Sequence, residues 1–244
     1  MIKEKDGIHF NGGEVVADSR KASGDVNVVT HAHFDHMHQD SSNEVVCSRE
    51  TGKLFQARLD EEFNYRTSEE GLELLNSGHI LGSSAVKFEM NGETVLYTGD
   101  ASMRDRAYLD GFRPPKADVL VMETTYGIPS YRFPPQEQVE ANIRAWIEEN
   151  SDSPLILFGY SLGKAQKIQH IVESFSDRPL IAHGSVKKMN DVVEQVSDLN
   201  FSARPYTDNR QVLEENGILV APSKSSRADW VEKVVDEYGA LKAG

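Results

Sequence analysis

The stretch Thr30-His31-Ala32-His33-Phe34-Asp35-His36 places four potential metal ligands within six consecutive residues, directly after the strand-like run 26–29. Imidazoles and carboxylates suit zinc and its neighbours, and a purely structural site rarely draws so many ligands from one loop. His31 and His33 are two residues apart, so at a strand end they project to the same side. Asp35 and His36 lie just past the turn, placed to serve a second metal. This spacing points to a dinuclear hydrolytic centre.

Three further positions belong with it. Gly78-His79 and Gly99-Asp100 each put a ligand-type residue after a strand-like segment, with a glycine that lets the loop bend sharply. Asp18 follows the strand predicted over 14–17. Taken singly, His79 reads as a loop histidine, Asp100 as a turn former and Asp18 as a cap. Their joint occurrence in this order, with the opening cluster, is what gives them weight.

The rest of the chain sets bounds. Its 244 residues suffice for one large domain or two modest ones with a buried core. The 39 acidic residues outnumber the 26 basic ones, for a net charge of -13. Such a balance argues against a general nucleic-acid coat protein, though not against an enzyme with a local basic groove. The one cysteine, Cys47, excludes an internal disulfide framework and points to an intracellular protein, with a buried thiol as its role. The N-terminal residues carry no apolar stretch, and no run approaches the ~20 apolar residues of a membrane span. The expectation is a soluble, cytoplasmic protein without membrane contact.

The first half reads as short strands at 8–10, 14–17, 26–30, 45–47, 72–75, 86–90, 94–98 and 119–122, interrupted by a helix over 48–59. Asn91-Gly92 is a strong hairpin signal, because both residues tolerate positive φ. The second half alternates helices (135–150, 162–174, 186–196, 227–238) with strands (155–158, 180–182, 218–220), the pattern of a parallel α/β unit. Val139, Ile143, Trp146 and Ile147 share one face of the first of these helices. A Gly-, Pro- and Tyr-rich loop over 124–135 separates the halves, giving domains of 1–124 and 125–244.

The metal motif resembles that of the metallo-β-lactamase fold, an αββα sandwich whose strand-end loops hold one or two zinc ions. The resemblance implies that His31, His33 and His79 bind a first metal, that Asp35 and His36 bind a second, and that Asp100 bridges them. Asp18 would orient ligands rather than bind metal. Glu123-Thr124-Thr125-Tyr126-Gly127 and Phe158-Gly159-Tyr160-Ser161-Leu162-Gly163-Lys164-Ala165-Gln166 resemble motifs of the β-CASP nucleases. Pro129-Ser130-Tyr131-Arg132-Phe133-Pro134-Pro135-Gln136-Glu137 and His183-Gly184-Ser185-Val186 resemble the ligase-associated DNA exonuclease-like branch, related to archaeal messenger-RNA 3′-end-processing factors. The implied fold is α/β, a metallo-β-lactamase sandwich followed by a β-CASP-like parallel domain.

The implied activity is a zinc-dependent nuclease, an exonuclease on single-stranded DNA or RNA ends, working with DNA-repair or RNA-processing partner proteins. In that scheme hydroxide from the metal pair attacks phosphorus, with Asp35, Asp100 and Glu123 at the reacting centre. Two metals can generate the nucleophile and stabilise both oxygens of an in-line displacement. Ser161 and Lys164 open a helix whose free N–H groups favour a phosphate. An ordinary strand-to-helix turn with Ser161 as N-cap accounts for the same residues. Arg132, with Tyr126, Tyr131 and Phe133, forms a loop suited to stacking on bases, or to ordinary packing. His38 reads as a bystander near the site, and His183 as no ligand.

The family pattern also carries two histidines beyond every motif matched here, in a returning segment of the first domain. No histidine follows His183. The expectation is therefore a C-terminally truncated chain with a weak second metal site. Two alternatives stand beside the nuclease reading: a small-molecule thioesterase or lactonase on the same fold, and an inactive nucleic-acid-binding subunit.

Overall fold

The computed structural model describes residues 1–37 and 43–244; His38 lies outside them. Packing divides the chain into two compact units, Met1–Asp105 with Leu109–Arg132, and Arg106–Tyr108 with Phe133–Gly244. The loop expected to begin the second domain at residue 125 thus packs with the first unit as far as Arg132.

The first unit contains β1 (Ile2–Lys5), β2 (Gly7–Phe10), β3 (Val15–Ala17), β4 (Val26–Val28), β5 (Val45–Val46), α1 (Arg49–Leu59), β6 (Tyr65–Arg66), β7 (Leu72–Asn76), β8 (Ser84–Met90), β9 (Glu93–Tyr97) and β10 (Val119–Val121). β1 to β6 form one sheet in chain order, and a second sheet runs β10-β9-β8-β7. The β8–β9 hairpin turns on Asn91 and Gly92, both at positive φ (55° and 81°), as the dipeptide predicts. β1 was not predicted: three of its four residues are charged, as befits an edge strand that resists further pairing.

The two sheets share one core. Phe10, Ala17, Val28 and Val46 of the first meet Val86, Phe88, Met90, Val95 and Tyr97 of the second. Phe10 and Phe88 pack edge to face at 5.1 Å. Full burial of each such large apolar side chain contributes about 1.5–3 kcal/mol. Cys47 is buried, and burial pushes its thiol up to about 12.

Strand direction decides where the loops emerge. β3 and β4 run parallel, with Ala17 opposite Val28, so Asp18 and the segment beginning at Val29 leave the sheet at one edge. In the second sheet β7 and β9 are each antiparallel to β8, so both end on the same side, as does β10, parallel to β9. Those ends carry His79, Asp100 and Glu123.

The second unit contains α2 (Gln136–Glu149), β11 (Leu155–Gly159), α3 (Lys164–Glu173), β12 (Leu180–Ala182), α4 (Gly184–Val196), β13 (Arg204–Pro205), β14 (Ile218–Pro222), α5 (Asp229–Tyr238) and β15 (Leu241–Ala243). Its sheet is wholly parallel, in the order β13-β12-β14-β11-β15. Leu155 and Leu157 of β11 pack with residues of α2, α3 and α4; Ile156 and Phe158 pack with residues of α5. Burial on both faces explains why β11 reads as a continuous apolar run rather than an alternating one. Gln166, Gln169 and Asn190, all fully buried, hydrogen-bond to one another and tie α3 to α4.

Arg178 fastens the opposite end of this sheet. Its guanidinium donates to the carbonyls of Ile147, Asn150, Ser153 and Asn216, joining the end of α2 to the loops before β11 and β14. Replacing it leaves several carbonyls without donors. Arg178→Ala should destabilise the second unit by about 3 kcal/mol, measured as a shift in the urea midpoint with an unchanged m-value.

Candidate metal centre

The ligand loop begins where β4 ends. Val29 N–H donates to Val46 O (3.0 Å) and Ser84 N–H to Thr30 O (2.8 Å), so the chain stays fixed through Thr30. A tight turn follows, with His36 N–H donating to His33 O at 3.2 Å. The two other loops are bound to each other through Ser77, whose hydroxyl donates to Asp100 O (2.8 Å) and whose carbonyl accepts from Ser102 N–H (2.9 Å). Gly99 sits at φ 52°, and a Cβ there would fall 2.7 Å from Thr30 Cβ; only glycine allows this approach.

Four side chains converge. His31 Nε2 and His79 Nε2 each lie 3.1 Å from His33 Nδ1, and Asp100 Oδ2 lies 3.7 Å from His31 Nε2 and 3.3 Å from His79 Nε2. All four ligand atoms fall within 4.8 Å of one another. A tetrahedral ion with ligands about 2.0–2.1 Å away would hold its donors roughly 3.3 Å apart. The donor set and its spacing therefore fit a divalent ion of the zinc type.

Asp100 turns its other oxygen elsewhere: Oδ1 lies 3.5 Å from His36 Nε2, and Asp35 Oδ2 lies 3.8 Å from the same nitrogen. His36, Asp35 and Asp100 make a second, looser group that shares Asp100 with the first. Asp35 is the outermost member, its side chain 77% exposed.

Asp18 organises both groups from beneath. This residue is buried and held at φ 53°, a conformation aspartate tolerates better than most residues. Oδ1 accepts from Thr30 N–H (2.8 Å); Oδ2 accepts from the Thr30 hydroxyl (2.8 Å), the Tyr97 hydroxyl (2.8 Å) and His36 Nδ1 (3.0 Å). Because the Thr30 hydroxyl donates to Asp18, it is left to accept from His31 Nδ1 at 3.1 Å. As neutral rings, His31 and His36 both carry their proton on Nδ1 and turn the Nε2 lone pair toward the clusters, as ligation requires; His36 must first give up the proton on Nε2.

The electrostatics agree. Burial, then the neighbouring His36, His33 and His79, holds His31 well below the usual histidine range. Burial opposes charge on His36 too, but the Asp18 hydrogen bond and the carboxylates of Asp18, Asp100 and Asp35 outweigh it and raise the ring to about 9. Burial raises Asp100, against the pull of His36 and with the help of Glu123, Asp35 and Asp18. The carboxylates here face His36 and Arg58, and the donors of His31, His33, His79 and Asp100 could together hold a metal ion.

Glu123 stands at the same strand-end edge, its carboxylate accepting from Thr125 N–H (2.8 Å). Arg132 is exposed in the loop that closes the first unit, where the Tyr126 and Tyr131 rings meet edge-on at 5.2 Å. Ser161 and Lys164 belong to the second unit. Ser161 is not the helix cap of the ordinary-turn account: Gly163 occupies that position, and its N–H donates to Gln166 Oε1 at 2.8 Å. The Ser161 hydroxyl instead pairs with that of Ser185 at 3.0 Å. His183 caps α4, accepting from Ser185 N–H, and stacks on Trp230, which accounts for it without metal.

Sequence reasoning missed Thr30 and Tyr97, whose hydroxyls hold Asp18, and Arg58, whose guanidinium lies 3.9 Å over the Phe34 ring at the tip of the ligand loop. The position of Tyr97 as the last residue of a strand entering this edge was the available signal; Arg58 offered none.

No family profile matches the chain. It is 32% identical to a "Probable DNA ligase" of Opitutus terrae over 88% of this chain and 22% of that protein. It is 26% identical to an "RNase J-like protein" of Methanocaldococcus jannaschii over 84% of this chain and 58% of that one. The chain thus spans about a fifth and somewhat over half of these relatives' lengths. Among solved structures, a protein of unknown function from Enterococcus faecalis superposes with a TM-score of 0.61 at 12% identity, over 89% of this chain and 68% of its own. The two sequence relatives are metallo-β-lactamase β-CASP nucleases, and the chain is similar to them at modest but consistent identity.

Asp18→Ala would leave the donors of Thr30 and Tyr97 buried without an acceptor. A loss of about 3 kcal/mol in stability is expected, together with weaker binding of added divalent metal by elemental analysis.

Proposed function

We propose that the chain is a zinc-dependent phosphodiesterase, a nuclease acting on single-stranded DNA or RNA ends. The first unit would be the metallo-β-lactamase αββα sandwich and the second the β-CASP-like domain. The observation that carries this is the sharing of Asp100, one oxygen toward His31 and His79 and the other toward His36. His31, His33 and His79 would hold one zinc ion, Asp35 and His36 a second, and Asp100 both. When bound, such a pair supplies a nucleophile at neutral pH and neutralises charge on the phosphoryl oxygens.

The chain's own residues do the rest. Asp18, through Thr30 and directly, keeps the imidazoles of His31 and His36 aimed. Glu123 orients the strand-end loop beside Asp100. In the second unit, the loops after the adjacent strands β11 and β14 depart to opposite faces of the sheet, the arrangement that opens a crevice at strand C-termini. A cavity of about 410 Å³ lies there, lined by Tyr160, Lys164, Ser223, Ser226 and Lys242. Lys164 stands at the N-terminus of α3, where charge and helix dipole together favour a backbone phosphate. Ser161 and Arg132 would add polar and stacking contacts to a single strand, and repair or RNA-processing proteins would be the natural partners of such an activity. No helix among the described residues is long and apolar enough to cross a membrane.

Asp35 is exposed, so its removal tests chemistry rather than folding. Asp35→Ala should lower cleavage of a labelled single-stranded oligonucleotide at least a hundredfold with an unchanged thermal midpoint; full activity would refute the assignment. A chelator should abolish cleavage, and readdition of zinc should restore it. Hydrolysis of a thioester or lactone in preference to the oligonucleotide would favour the small-molecule reading. Binding without turnover, at one zinc per chain, would favour the inactive subunit.

A further inference from the structure

α1 meets two of the loops that carry the converging ligands, and it meets them at its opposite ends. At its start, the Ser48 and Thr51 hydroxyls both donate to Gly82 O, at 2.7 and 2.9 Å. A Cβ on Gly82 would fall 2.5 Å from Glu50 Cβ, so this loop lies directly on the first turn of the helix. The next residue, Ser83, accepts the His79 N–H on its hydroxyl at 3.1 Å, which couples the helix start to that histidine. In the last turn of α1, Arg58 lays its guanidinium 3.9 Å over the Phe34 ring, at the tip of the ligand loop.

Packing of the core does not account for this second contact. Phe34 is 58% exposed, and Arg58 Nε is shut from solvent without a hydrogen-bond partner among the described residues. A guanidinium stacked on a ring is held by attraction to the ring face, and the stacking orients its planar fork. What the stack can hold is the backbone beside it. Asp35 follows Phe34 directly, and its carboxylate acts on the Arg58 charge. His36 is already held from beneath by Asp18 at 3.0 Å. Asp35, with its side chain 77% exposed, is not among the partners of Asp18.

We propose that Arg58 is a positioning residue for the second metal group: stacked on Phe34, it holds the tip of the ligand loop so that Asp35 stays beside His36 and Asp100. The proposal rests on the two-ion reading of the centre and adds a division of labour within it. The start of α1 sets the loop of His79, which serves the first group; its end sets the tip that bears Asp35, which serves the second. Two effects of Arg58 oppose each other. Its charge alone disfavours a cation nearby, whereas the hold on the loop favours one, and the proposal requires the hold to win.

The test is a titration of the full chain, stripped with chelator, with zinc against a chromophoric competitor and with cobalt(II) by visible absorption. These give two stepwise affinities, and thermal midpoints of the stripped proteins are measured alongside. Arg58→Met should weaken the second step roughly tenfold and leave the first within about twofold. Phe34→Ala should do the same, and the double variant should bind no more weakly than either single one, because both remove one contact. Arg58→Lys keeps a cation over the ring and should recover part of the loss. Thr51→Val should show the reverse preference and weaken the first step. An unchanged second step in Arg58→Met would overturn the proposal, and so would a tighter one, which would make Arg58 a repelling charge. Additive losses from Arg58→Met and Phe34→Ala would overturn the shared contact. A lower midpoint with both steps weakened equally would make Arg58 a packing residue. Two ions on the unaltered protein with an indifferent Arg58→Met would refute the proposal and leave the two-ion reading standing. A single ion on the unaltered protein would refute that reading and the proposal with it.

Discussion

The geometry of the candidate metal cluster depends on one buried carboxylate. Asp18 accepts four hydrogen bonds from three residues on two sheets, and through them it sets the tautomer of both His31 and His36. A carboxylate this deeply buried is tolerable only because so many donors face it. The parallel pairing of β3 with β4 makes the arrangement possible: with Ala17 opposite Val28, the residue after one strand comes level with the residues that open the ligand loop. A shift of one residue in this register would reverse the facing of the strand and separate Asp18 from Thr30.

The second unit follows a different logic. Its sheet is buried on both faces. Gln166, Gln169 and Asn190 satisfy one another inside the helical layer, so a fully buried amide network costs little there and fixes α3 against α4.

Much of this was legible in the sequence because the signals were local. Asn91-Gly92 specifies its turn through backbone conformation alone, and the alternation of Val86, Phe88 and Met90 with Lys87 and Glu89 reveals which face of β8 is buried. The cluster that could hold a metal was legible because metal-binding chemistry uses few residue types at short spacing. What escaped notice depends on distant partners. β15, only Leu241–Ala243, is a strand because β11 offers it an edge. The cap of α3 lies at Gly163 because Gln166 folds back to its N–H, a preference weaker in sequence than that of a serine nearby.

The four converging donors come from different sheets. His31 and His33 follow β4, whereas His79 and Asp100 follow β7 and β9. An ion held among them would join points 46 residues apart along the chain, as His33 and His79 are, and so act as a crosslink closing a long loop. Ligation and the mutual packing of the two sheets are then one linked equilibrium. Affinity for the ion becomes a measure of how firmly Phe10 and Phe88 hold the sheets together, well away from the ion itself.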